Sequence, residues 1–183
     1  MGGRFRRRGR CATGHPERRA GTEFNIQVMI VTLSSVLGAS AELAYEQVKR
    51  PVLLHYVAHP LIRFVPQTPF PAIWQEGEYE TKMLLFGLIP LGHQLIRIEL
   101  PGLADDGSFR VRDNGQGHLA RTWDHRIHID PVDTGRCRYT DRVTVQAGLL
   151  TPFVWLFALG FYAWRQYRWK RLVRLNFQPI NHL

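Results

Sequence analysis

The stretch Leu119-Ala-Arg-Thr-Trp-Asp-His-Arg-Ile-His-Ile-Asp130, followed six residues later by Cys137-Arg-Tyr-Thr-Asp-Arg-Val-Thr-Val-Gln-Ala147, decides the fold. Both halves alternate with a period of two, the spacing of a strand whose faces meet different surroundings. In the first, Leu119, Arg121, Trp123, His125, Ile127 and Ile129 share the more apolar face. In the second, Cys137, Tyr139, Asp141, Val143, Val145 and Ala147 do so. These faces are read as the inside of a concave sheet. The piece between them, Pro131-Val-Asp-Thr-Gly-Arg136, is rich in turn formers, so the strands form an antiparallel hairpin. If Ile129 pairs with Cys137, then Ile127 meets Tyr139, His125 meets Asp141 and Trp123 meets Val143. A slip of two residues would keep the faces and change the partners.

The same period extends upstream. Gly77–Phe86, His93–Leu100 and Ser108–Asn114 read as three further strands, separated by the turn-rich pieces 87–92, 104–107 and 115–117. Short links favour a meander of five antiparallel strands. Residues 26–33 read as another strand, which Gly38 closes. Ser40 then suits the cap of a helix from Ala41, with Glu42 in its first turn. Pro51 starts a second helical pattern through Leu53, Leu54, Tyr56 and Val57, and a link punctuated by Pro60, Pro66, Pro69 and Pro71 follows. Downstream, Thr151 suits a helix cap and Pro152 a first helical position. That helix runs to about Leu175, where Asn176 and Pro179 stop it, a length of about 36 Å at 1.5 Å per residue. The order is strand, two helices, five strands, long helix. It predicts an α+β helix-grip fold, a curved antiparallel sheet of six strands wrapped around the C-terminal helix.

The composition sets limits. Of 183 residues, 45% are hydrophobic, which suits a globular chain. Two cysteines, Cys11 and Cys137, are too few for a disulfide scaffold or a cysteine-based zinc site, and the scattered histidines have no metal-ligand spacing. No metal or cofactor is expected. The net charge of +9 is segregated: residues 1–20 carry seven arginines against Glu17, and residues 148–183 carry Arg165, Arg168, Lys170, Arg171 and Arg174 with no acid. The body between them is near neutral, which argues against nucleic-acid binding. Residues 1–22 are read as a disordered basic tail, with Met29 an alternative start, then a domain over 23–177 and a short tail at 178–183. An arginine-rich start, an apolar run and Ala39-Ser-Ala41 have the outline of an export signal. Glu23, Asn25 and Gln27 interrupt it, so the protein is read as cytoplasmic. Leu149–Trp164 carries no charge but is shorter than a membrane span.

The residues Asp113, Gly117, Trp123-x-His125, Gly135, Asp141-x-Val143 and the helix with Phe161, Arg165, Arg168 and Trp169 resemble the SRPBCC superfamily, the START-like helix-grip proteins. Within it, the bacterial ligand-binding or polyketide-cyclase-like branch is the most similar. The resemblance covers about residues 28–175, and the first twenty match nothing in it. It implies an apolar ligand enclosed between sheet and helix, with some members acting as cyclases or aromatases.

Function follows as an expectation: binding of a small hydrophobic molecule, with no catalysis assumed. The candidate ligand-binding residues are Tyr79, Met83, Arg121, Trp123, His125, Tyr139, Asp141, Phe157 and Phe161. Polar His125 and Asp141 on apolar faces read first as a pair that satisfies itself and fixes the register. A pair orienting a polar group of the ligand is the next reading. A third is a cyclase or dehydratase in which Asp141 holds the imidazole of His125. On the long helix, Phe153, Phe157, Gly160, Trp164 and Tyr167 form one stripe, with Gly160 permitting close approach. Trp155, Leu159, Tyr162 and Trp169 lie opposite. Three things could cover that second side: the N-terminal helices, a second subunit in a homodimer, or a membrane surface met also by the basic helix end.

Overall fold

A computed structural model of the chain describes residues 28–181. The elements are β1 (Met29–Leu37), α1 (Ala41–Val48), α2 (Pro51–Ala58), β2 (Ile62–Pro66), β3 (Gly77–Leu85), β4 (Ile89–Leu103), β5 (Phe109–Gly117), β6 (Thr122–Asp133), β7 (Arg136–Gln146), α3 (Thr151–Arg174) and α4 (Gln178–Asn181). The strands form one antiparallel sheet in the order β1-β7-β6-β5-β4-β3-β2. Its concave face holds α3, and α1 and α2 close the remaining side. This is the helix-grip fold. The basic tail assigned to residues 1–22 lies outside the described residues.

Local chemistry sets the element boundaries. The Ser40 side chain accepts a hydrogen bond from the Leu43 N–H at 3.2 Å and caps α1, and Pro51 occupies the first turn of α2. Asn176 ends α3 in the left-handed region, φ 47°, a conformation asparagine tolerates. Thr151 does not cap α3. Its hydroxyl donates to the Gly148 carbonyl at 2.7 Å and accepts from the Ala147 N–H at 2.9 Å, pinning the turn that feeds the helix.

Four expectations are corrected. The sheet has seven strands, because Ile62–Pro66 pairs with β3. Its prolines signal a link, yet an edge strand tolerates proline where no ladder donor is needed. The 115–117 piece is not a turn: Gly115 and Gly117 lie within β5. They are glycines because the side chain and backbone around Gln94 lie where a Cβ would sit, with Leu95 O only 2.6 Å from the Gly115 position. The β6–β7 register is slipped by two residues, so Ile129 faces Tyr139, Ile127 faces Asp141 and His125 faces Val143. The strands continue to Asp133 and from Arg136 around a tight Thr134-Gly135 turn, with an irregularity between Pro131 and Asp133. Finally, 178–181 is not a tail. It is a short helix whose Ile180 is buried and whose carbonyl accepts from Arg50 at 3.1 Å.

The helix stripe is rotated from the expected one. Thr151, Ala158, Phe161, Tyr162, Arg165, Gln166, Trp169, Leu172 and Val173 form the buried face of α3. Gly160 has nothing within 4 Å of its Cβ position and faces outward. The flanks are covered within the chain: the Trp155 indole donates to the Ile30 carbonyl at 2.9 Å, and the Trp164 indole to the His59 carbonyl at 3.0 Å. Phe153 and Leu156 stay 72% and 62% exposed. Among the described residues, no helix is long and apolar enough to cross a membrane.

Candidate binding site

Between the concave face and α3 lies a cavity of about 310 Å³. Its walls come from every layer of the fold. Ile96 and Ile98 of β4, Val111 of β5, Trp123 and Ile127 of β6, and Met83 of β3 face Phe157 and Phe161 of α3, with Leu53 and Leu54 of α2 at the side. Period-two alternation presents one face of each strand, and these apolar walls suit an apolar occupant. Leu119, Leu150 and Phe153 also line the cavity and are exposed, so they form the rim of its opening.

Six of the nine candidate residues line this cavity: Met83, Trp123, His125, Tyr139, Phe157 and Phe161. Asp141 stands behind the wall, fully buried. Tyr79 packs instead on Trp74 at 4.8 Å between ring centroids, and its hydroxyl donates to the Gln75 carbonyl at 3.0 Å. Arg121 precedes β6, is exposed, and borders a polar groove on the surface with Glu80, His93 and His118. Both lie outside the cavity. Arg121 was placed inward by extending the β6 alternation, but the strand begins only at Thr122.

The polar cluster is centred on Asp141. His125 Nε2 lies 2.7 Å from Asp141 Oδ1, the Tyr139 hydroxyl donates to the same oxygen at 3.0 Å, and Gln166 Nε2 donates to Oδ2 at 3.0 Å. Gln166 is itself fixed, donating to the Leu33 carbonyl at 2.9 Å and accepting from Ser35 Oγ. The slipped register therefore preserves the His–Asp contact as a diagonal across the hairpin. Burial opposes ionisation of Asp141, but the His125 and Gln166 hydrogen bonds and the Arg165 charge outweigh it and hold its pKa below the usual value. Burial pushes the His125 pKa down against the pull of Asp141. The imidazole is thus neutral at pH 7, with its proton on Nε2 toward a carboxylate that can only accept.

Sequence reasoning missed two polar groups in the cavity wall. Asp113 on β5 accepts the Arg97 backbone N–H at 2.9 Å. Burial raises its pKa to about 7, against the Arg97 hydrogen bond and the Arg165 charge. Arg165 on α3 is 8% exposed and lines the cavity. Its guanidinium lies over the Tyr162 ring at 5.0 Å, and its Nε has no hydrogen-bond partner. The signal for Arg165 was its helix spacing from Ala158, Phe161 and Tyr162, masked by the run of bases that follows. That run is divided in the fold. Arg168 turns inward, donating to the Tyr56 carbonyl at 3.0 Å and stacking over the Tyr56 ring at 4.0 Å. Lys170, Arg171 and Arg174 are exposed.

Comparison with solved structures agrees with the architecture. A START superfamily protein from Mycobacterium smegmatis is similar with a TM-score of 0.59 at 15% identity, over 80% of this chain and 97% of that one. Norcoclaurine synthase from Thalictrum flavum, in complex with dopamine and hydroxybenzaldehyde, is similar with a TM-score of 0.57 at 14% identity, over 91% and 96%. A hypothetical protein from Helicobacter pylori is similar with a TM-score of 0.57 at 13% identity, over 92% and 99%. At such identities the likeness concerns the fold, which is of the SRPBCC type. No curated protein matches the sequence. A family model does, over residues 73–175, which run from the end of the proline link through the meander to the end of α3. With that model spanning more than half of its length, the chain belongs to the family described as a domain of unknown function, DUF8410.

Proposed function

We propose that the protein binds a small, largely apolar molecule in the cavity between the sheet and α3, and that binding, not turnover, is its activity. The carrying observation is the cavity of about 310 Å³ with apolar walls and a few convergent polar groups, His125, Tyr139, Asp113 and Arg165. Such a volume lies at the lower end of small-molecule sites. The exposed apolar rim gives a ligand a path from solvent. The helix-grip neighbours support a ligand-binding reading of the same coarse kind. Native mass spectrometry of protein purified from a bacterial host tests it. The expected result is a retained mass that is lost on denaturation. A crystal structure with the interior filled by side chains would sink the idea.

A second reading, acid–base chemistry on a polyketide-like substrate, is favoured by the 2.7 Å His125–Asp141 contact at the cavity wall. The neutral imidazole keeps a lone pair on Nδ1 and could accept a proton. His125→Ala separates the two readings: an enzyme loses turnover and keeps binding, whereas a binder shows no turnover to lose.

A further inference from the structure

Apart from Arg165, every polar side chain of the cavity wall forms at least one hydrogen bond within the fold. Asp141 accepts from His125, Tyr139 and Gln166, which occupies both its oxygens. Asp113 takes the Arg97 N–H. The Tyr162 hydroxyl accepts from the Trp123 indole at 3.3 Å. Arg165 is the exception. Among the described residues it forms no ion pair, and its buried Nε–H has no acceptor. Its neighbours are aromatic faces, Tyr162 at 5.0 Å and Phe161 at 5.8 Å. These faces stabilise the charge and fix the plane of the guanidinium, and the Tyr139 hydroxyl and the Asp141 and Asp113 carboxylates also act on it, but none of them accepts from Nε. A guanidinium is a fork of donors that cannot lose its charge, and withdrawing one from water without an acceptor is costly. Arg165 lines the cavity, so an occupant of the cavity can supply the acceptor that the fold does not.

We propose that the ligand is an amphipathic monocarboxylate, whose carboxylate pairs with Arg165 at the inner end of the cavity while its apolar body lies along Phe161 and Phe157 toward the rim. The inference rests on the cavity-binding reading and deepens it. The charge of the site selects the head group. A carboxylate matches the guanidinium fork with two parallel hydrogen bonds. A phosphate dianion brings twice the charge of a carboxylate beside Asp141 and Asp113, and the one guanidinium that offsets the repulsion is the same for both. An ammonium would leave Arg165 unpaired and add a like charge beside it. Geometry sets the orientation. Arg165 lies eight residues beyond Phe157, about 12 Å along the helix. The head group is therefore deep, and the body has that length to fill before it reaches the exposed Phe153 and Leu150.

The test is a set of titrations, followed by tryptophan fluorescence and calorimetry, with probes that share a body and differ in head group. Decanoate, decanamide and decanol form one set; naphthylacetate and its amide form another. Wild-type protein is expected to bind each acid at least about tenfold more tightly than its neutral partners, the gain of a charge-assisted pair over a neutral one. Arg165→Gln should abolish that preference, bringing decanoate to the affinity of decanamide and decanol for the same variant, and Arg165→Lys should retain part of it. Equal affinity for acid and amide in the wild type, or a preference that survives Arg165→Gln, overturns the carboxylate anchor while leaving the cavity reading intact. Failure of every probe to bind, whatever its head group, overturns the cavity reading and the anchor with it. Should Arg165→Gln not fold, the wild-type head-group preference and the Arg165→Lys variant still decide the matter.

Discussion

Asp113 places an acid in a cavity wall where its ionised form is penalised. The sign of the effect on stability is fixed by the direction of its pKa shift. In the unfolded chain the group titrates near 3.8, and in the fold near 7. Between those values the folded state holds more protons than the unfolded one, so stability falls as pH rises through that window. The loss is at most about 4 kcal/mol, the size of a three-unit shift, and water in the cavity reduces it. Arg97 and Arg165 oppose the shift, Asp124 adds to it, and His125 faces Asp113 directly across the β5–β6 ladder. Asp113→Asn keeps an acceptor for the Arg97 N–H and removes the ionisation. Thermal melts from pH 4 to pH 8 should therefore show the variant gaining on the wild type as pH rises and matching it at the acid end. A constant gap across the range would mean that Asp113 titrates as it does in water. Little of this was legible beforehand. Asp113 and Arg165 were noticed only as parts of a family pattern, because nothing in a sequence says that two groups 52 positions apart will face one cavity. His125 and Asp141 were legible because polar residues interrupted an apolar face within a single hairpin.

The elements whose periods are pure were read correctly, and those ruled by local exceptions were not. The cores of β6 and β7 alternate without interruption, so their faces were set by periodicity alone. β2 escaped because its five residues sit among prolines that an edge strand tolerates. The β6–β7 register escaped because it depends on one irregular residue near Pro131, a matter of turn geometry and not of hydrophobic pattern. The stripe of α3 was misplaced because its first half is apolar on all sides, and only packing chooses which side is buried. Trp169 shows what that choice secures. It is 1% exposed, with Tyr139 at 5.5 Å and Phe177 at 6.0 Å between ring centroids. Trp169→Ala should lower stability by about 3–5 kcal/mol in denaturant titrations, the range of large aromatic deletions in a core. Trp164→Ala, on the half-buried flank, should cost clearly less. Equal losses would mean that the helix is buried along a different stripe.

Across the whole molecule, stability and function occupy opposite ends of the same helix. The end holding α1, α4 and the last three turns of α3 is dense: Ile129, Cys137, Leu172 and Ile180 show no exposed surface there. The other end is hollow, with the cavity inside and Leu150, Phe153 and Leu156 uncovered at or near its mouth. Two changes to one helix should then have opposite consequences. Truncation before Arg165 removes Trp169, Leu172, Val173, Phe177 and Ile180 together, which are the side chains that close the dense cluster against the sheet. Burial of one such side chain contributes about 1.5–3 kcal/mol, so losing five removes about 7.5–15 kcal/mol, as much as the whole stability of an ordinary domain. The truncated chain should show no cooperative melt. The paired change Leu150→Ser and Phe153→Ser alters residues that are already more than half exposed, and replaces no packed core contact. Its melting midpoint should stay within about 3 °C of the wild type, the shift expected from a surface change of up to 0.5 kcal/mol. Its affinity for decanoate should fall, because the apolar body of the ligand loses the wall that it meets last on the way in. A large drop in midpoint for the rim variant, or unchanged decanoate affinity, would mean that the opening lies elsewhere on the molecule.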